Sequence, residues 1–170
     1  MPFQRLTYTF TTPLAAPRAR AYRWATDYRP TDFRLAGFSG TRTVEQLAKN
    51  LVLLTDSFDS DPFDAQPGAR TVKVKLVHLY PDRWAWTATH LSGPVQHSQF
   101  LYNLTPRGPR ASVLHFTGSQ VEPVPRPPTP RALERRTREL RHEDSQLWAR
   151  LSAALARDLS SGETRVGGRR

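Results

Sequence analysis

The chain contains no cysteine. That excludes disulfides, thiolate metal sites and cysteine nucleophiles, and it agrees with an expected cytoplasmic location. No apolar run approaches the roughly 20 residues of a membrane-spanning helix. The first residues, Met1-Pro2-Phe3-Gln4-Arg5, lack the basic and apolar regions of a signal peptide. The common site signatures are missing too. None of the five histidines has the H-E-x-x-H spacing of a zinc site, and no phosphate-binding or dinucleotide glycine fingerprint occurs. Gly37-Phe38-Ser39-Gly40 does not match the G-x-S-x-G nucleophile turn. Asp56, Asp59, Asp61 and Asp64 are spaced loosely like a calcium loop. They lack its central glycine and enclose Pro62, so a solvated turn is expected there. No metal and no cofactor are expected.

Lysine is also scarce: only Lys49, Lys73 and Lys75 among 25 basic residues. The arginine preference is read as a composition bias. The net charge is +10, and half of it falls after residue 125, where eleven arginines meet six acids. Arg131, Arg135 and Arg138 form a stripe at helical spacing, with Glu134 and Glu139 placed to pair with Arg138 and Arg135. Such interleaving marks a solvated, self-paired face, and no nucleic-acid partner is expected. A weak contact with an acidic protein or an anionic membrane surface stays open for this stripe.

With 170 residues, 38% hydrophobic and 24% charged, the chain suits one soluble domain with a real core. Its longest element is a helix over 130–159. Leu133, Thr137, Leu140, Asp144, Leu147, Leu151, Leu155 and Leu159 recur at three- and four-residue steps on one face. Thr129 is placed as N-cap and Pro130 at the first helical position. Such a helix spans roughly 45 Å, and its apolar stripe needs a broad surface to lie on.

The preceding residues supply a sheet. Residues 3–12 alternate, with Leu6, Tyr8 and Phe10 on one face. A short helix runs from Pro17 to Asp27 with Ala21, Tyr22 and Ala25 inward. Strands follow at 38–47, 50–59, 71–80, 84–91, 97–105 and 111–121. The turn-rich links between the later ones indicate an antiparallel meander. A three-residue turn, Pro81-Asp82-Arg83, pairs Tyr80 with Trp84, His78 with Trp86 and Val74 with His90. Residues 1–159 make one α+β domain, and 160–170 are expected to form a disordered basic tail.

This order (strand, short helix, antiparallel run, long C-terminal helix) resembles the helix-grip fold of the START/SRPBCC superfamily. That group includes the birch-pollen-allergen proteins and polyketide cyclases. The resemblance covers residues 3–159. Its most specific local match is Ala21-Tyr22-Arg23-Trp24-Ala25-Thr26-Asp27, which looks like the superfamily's first-helix pattern. It implies a curved sheet of six to seven strands around the helix, with an apolar cavity between them for a lipid-, sterol- or polyketide-like ligand.

On the alternation above, His78, Tyr80, Trp84, Trp86 and His90 face that cavity. So do Phe100 and Tyr102 with Ser98, and Phe116 with Gln120. Tyr22 from the short helix and Leu140, Asp144, Leu147, Trp148 and Leu151 from the long one complete its wall. Asp144 is the anomaly, a carboxylate on an apolar stripe. In one reading it orients His78 or His90 as a base in a cyclase- or aromatase-like reaction, with Tyr80 or Tyr102 at the oxyanion. In another, Asp144 sits at the stripe's edge in water, near Arg141 or an arginine of the first helix, and the histidines are ordinary sheet residues. Binding without catalysis is the leading expectation.

Overall fold

The computed structural model describes residues 2–59 and 70–161. Most of the acidic loop after Asp59, with Asp61 and Asp64, and the tail from residue 162 lie outside the described residues. Seven strands form one antiparallel sheet: β1 (Phe3–Leu14), β2 (Gly40–Ala48), β3 (Leu51–Phe58), β4 (Thr71–Tyr80), β5 (Ala85–His90), β6 (Gln99–Pro106) and β7 (Ser112–Pro123). Their spatial order is β1-β7-β6-β5-β4-β3-β2. Helix α1 (Arg18–Thr26) and a 3-10 turn (Asp32–Ala36) connect β1 to β2, and α2 (Pro130–Ser160) closes the chain. Among the described residues no helix is long and apolar enough to cross a membrane.

Helix α2 begins where Thr129 and Pro130 place it. The Thr129 hydroxyl accepts the Ala132 N–H at 3.3 Å, and Pro130 supplies the preset φ of the first helical position. Leu140, Trp148, Ala154 and Leu155 are its buried residues. They pack on the inner face of the sheet, where alternate residues of neighbouring strands line up in rows. One row reads Phe10, Phe116, Tyr102, Trp86 and Leu79 across β1, β7, β6, β5 and β4. The next reads Tyr8, Gly118, Phe100, Ala88, Val77 and Val52.

The β4–β5 hairpin differs from the sequence expectation by one residue. Pro81–Arg83 make a 3-10 turn, and Trp84 joins the loop in the left-handed conformation, φ 53°. Its N–H bonds back to the Pro81 carbonyl at 3.2 Å. Tyr80 therefore pairs with Ala85, and Lys75 pairs with His90. Because side chains alternate, the slip turns β4 over. Lys73, Lys75 and Val77 face α2. His78 is exposed, and Tyr80 is 43% exposed on the outer side.

Candidate functional site

Between the inner sheet face and α2 lies a cavity of about 540 Å³. Aromatic rings form its middle. Trp86 stacks on Tyr102 at 4.9 Å and 6°, and Trp148 of α2 leans on both, at 6.1 and 5.6 Å. Phe116 meets Tyr102 edge-on at 5.3 Å and Phe100 at 5.6 Å. Leu140, Leu147 and Leu151 close the helix side. Flat rings fixed in register on strands make a rigid apolar wall.

Three polar groups interrupt that wall. The first is built on Asp144. Its carboxylate accepts the Tyr8 hydroxyl at 2.5 Å. Tyr8 reaches it because Gly118 lies beside it in the row: a Cβ at Gly118 would stand 2.8 Å from the Tyr8 Cζ. Burial raises the Asp144 carboxyl to about 6, although the Tyr8 hydrogen bond pulls the other way. Burial and Asp144 together raise the Tyr8 phenol. Tyr102, raised chiefly by its own burial, also feels the Asp144 charge. Asp144 thus changes charge close to neutrality, on a cavity wall.

The second group lies on β2 to β5. Asp56, 1% exposed, takes Nε and Nη2 of Arg42 at 2.5 and 2.9 Å and Nζ of Lys75 at 2.7 Å. Burial alone would raise the Asp56 carboxyl, but the two cations bring it down to about 2. His90 lines the cavity beside Lys75, is 7% exposed, and meets Phe100 edge-on at 5.2 Å. Burial first, then the charges of Lys75 and Lys73, depress His90 to about 3, so its ring is neutral at ordinary pH. Its Nδ1 is buried without a hydrogen-bond partner among the described residues.

At the β7 side, Arg136 of α2 bonds Glu122 at 2.8 Å and Glu143 at 3.3 Å, and Gln120 donates to Glu122 at 2.7 Å. This network ties the start of the long helix to the end of the last strand.

Of the residues expected at the site, ten line the cavity: Trp86, His90, Phe100, Tyr102 and Phe116 from the sheet, and Leu140, Asp144, Leu147, Trp148 and Leu151 from α2. Gln120 joins them. His78 and Tyr80 do not, because of the register slip. Trp84, displaced into the turn, packs edge-on against Tyr22 at 5.8 Å, under the Arg18 guanidinium at 4.8 Å. Tyr22 is buried behind the wall, its hydroxyl on the Ala85 carbonyl at 3.3 Å. Ser98 is buried and accepts the Val121 N–H at 2.8 Å.

The Asp144–histidine pairing is corrected as well. Asp144 is held by Tyr8, His78 is outside, and His90 belongs to the lysine group. Asp56 is no part of a solvated turn but a buried anion inside β3. Arg131, Arg135 and Arg138 are exposed on α2 and lie outside the cavity wall, with Arg135 3.8 Å from Glu139.

Sequence reasoning missed Tyr8 as a partner of Asp144, and it missed Arg42, Asp56, Lys73 and Lys75. The signal for Tyr8 was present, since it shares the inner face of β1 with Leu6 and Phe10. For the lysines a signal existed in their rarity and their two-residue spacing.

No family model matches the chain, and no curated protein matches it by sequence. Solved structures do match its shape. An aromatase/cyclase from Streptomyces superposes with a TM-score of 0.72 at 13% identity, covering 96% of this chain and 99% of the other. A START superfamily protein from Mycobacterium smegmatis gives 0.68 at 12%, covering 89% and 97%. Norcoclaurine synthase from Thalictrum flavum, solved with dopamine and hydroxybenzaldehyde, gives 0.63 at 10%, covering 91% and 88%. The chain has the START-like helix-grip fold.

Proposed function

We propose that this protein binds an apolar, ring-containing small molecule in the cavity between sheet and α2. One observation carries the reading: a void of about 540 Å³ walled by stacked aromatic rings, where a plain core would be filled. Its volume lies within the span of small-molecule sites, roughly 300–1,000 Å³. The aromatase/cyclase and norcoclaurine synthase matches support a cyclic ligand and share only the fold. Native mass spectrometry of the protein as purified, against the denatured chain, tests the reading. A mass excess lost on denaturation supports it. A bare mass, joined to failure of the uncharged naphthylamine described below to bind, overturns it.

A second reading, catalysis, is favoured by Asp144. A carboxyl that ionises at about 6 on an apolar wall suits proton transfer at neutral pH. The carboxylate would take a proton from a carbon flanked by carbonyls, leaving an enolate whose oxygen the Tyr102 hydroxyl stabilises. Return of the proton to carbon or oxygen restores Asp144. The check is hydrogen–deuterium exchange at the acidic carbon of benzoylacetone, followed by NMR. The wild type is expected to accelerate it, and Asp144→Asn to lose at least about tenfold of the acceleration. Equal rates in the two proteins would leave binding alone.

A further inference from the structure

We propose that the ligand of this cavity carries an anionic group (a carboxylate, a sulfonate or an acidic enolate) seated against Lys75 and His90, with its apolar body along Trp86 and Tyr102. This rests on the cavity being a ligand site and goes beyond it by assigning the ligand's charge and direction.

Three observations lead there. First, the chain has 22 arginines and three lysines, yet two of the three lysines line this cavity. They are alternate residues of β4, the face that the four-residue turn directs inward. Second, Lys75 has hydrogen-bonding capacity to spare. It lines the cavity together with its ion-pair partner Asp56. Asp56 is already shared by two cations. Lys75 uses one of its three donors on Asp56, and among the described residues no second acceptor is bonded to it. Third, its cross-strand neighbour His90 is buried and neutral, with an unpartnered ring nitrogen. A neutral imidazole offers one N–H donor, and an ammonium and an imidazole side by side suit one anionic oxygen pair.

Elsewhere on the wall stand Glu122, Glu143 and Asp144, with Arg136 paired to the two glutamates. An anion is disfavoured there, so the polarity of the cavity orients the ligand. Burying charge is expensive, and an apolar residue would close the sheet at less cost, which argues that Lys75 serves a bound group.

The experiment uses two probes of nearly equal shape: anilinonaphthalene sulfonate and its uncharged parent, N-phenyl-naphthylamine. Binding is read by energy transfer from tryptophan and by competition between the two. A variant with Arg131→Gln, Arg135→Gln and Arg138→Gln removes surface attraction for the sulfonate. The sulfonate is expected to bind at least about tenfold more tightly than the amine and to displace it. Lys75→Met should bring the two near parity while the amine changes by less than about twofold, and Lys75→Arg should restore the preference. Equal affinities in the wild type, or a preference that survives Lys75→Met, overturn the proposal while leaving the cavity intact. Failure of the uncharged amine to bind, joined to a bare native mass, overturns the cavity reading itself. Should Lys75→Met not fold, the wild-type ratio in the arginine-depleted background decides.

Discussion

Asp144 shows how neighbours tune a carboxyl. Burial, with Glu143, lifts it; Tyr8 first, then Lys73 and Arg136, hold it down, and the balance falls at about 6. Tyr8→Phe removes the largest downward part and leaves the burial. The Asp144 carboxyl is then expected to titrate above its wild-type value, read by carbon-13 NMR of labelled aspartate. An unchanged or lower value would contradict the hydrogen bond. Any benzoylacetone exchange that depends on Asp144 should move its pH dependence upward by the same amount. The anomaly was legible in the sequence, because a carboxylate four residues from Leu140 on an apolar stripe has few explanations. The partner was not. Strand alternation tells which way Tyr8 points, but its reach to α2 depends on the space beside Gly118, a packing detail that no periodicity reports.

Elements read more easily where local chemistry decides them. The start of α2 follows from Thr129 and Pro130, so Thr129→Ala is expected to cost about 1 kcal/mol in denaturant unfolding, and Thr129→Ser only a few tenths. An equal loss in both variants would point to a lost methyl contact and not to the cap. Strand existence and order were legible from the alternation and from the proline- and glycine-rich turns. The β4–β5 register was not. A tryptophan is a poor candidate for the left-handed basin, and counting Pro81–Arg83 as the whole turn placed it at the head of β5. Packing against Tyr22 and Arg18 holds Trp84 in the loop. Tertiary contacts thus reversed a local preference, and with it the inward face of one strand.

At the scale of the whole molecule, the cavity makes the pH dependence of stability a contest between two buried groups. Asp144 ionises near 3.8 when unfolded and at about 6 when folded. Between those values the folded state holds the extra proton, so stability falls as pH rises. His90 goes the other way, from 6.5 unfolded to about 3 folded. Between those values the unfolded chain holds the extra proton, so stability rises with pH. Each contributes a slope of about 1.4 kcal/mol per pH unit at most, and over the shared window the two oppose. The wild type is expected to be nearly flat between about pH 5 and 6, above the range in which Glu122, lowered by Arg136, adds its own rise with pH, as measured by denaturant unfolding. Asp144→Asn should rise across that window, and His90→Gln should fall. Slopes of the same sign in both variants would refute the assignment. Below it, Asp56, held at about 2, adds a further loss of stability as it takes up its proton. The apolar lining of the cavity was readable from sequence because rings on alternating strands share a face. Its lysines were not, because they enter through the strand whose parity hung on one turn residue. Strand β4 carries two alphabets back to back, lysines on one side and His78 with Tyr80 on the other. A turn one residue shorter between Tyr80 and Ala85 would pair the second alphabet with the inner rows of β5, so a single residue in a loop off the cavity wall decides which face of a strand the interior sees.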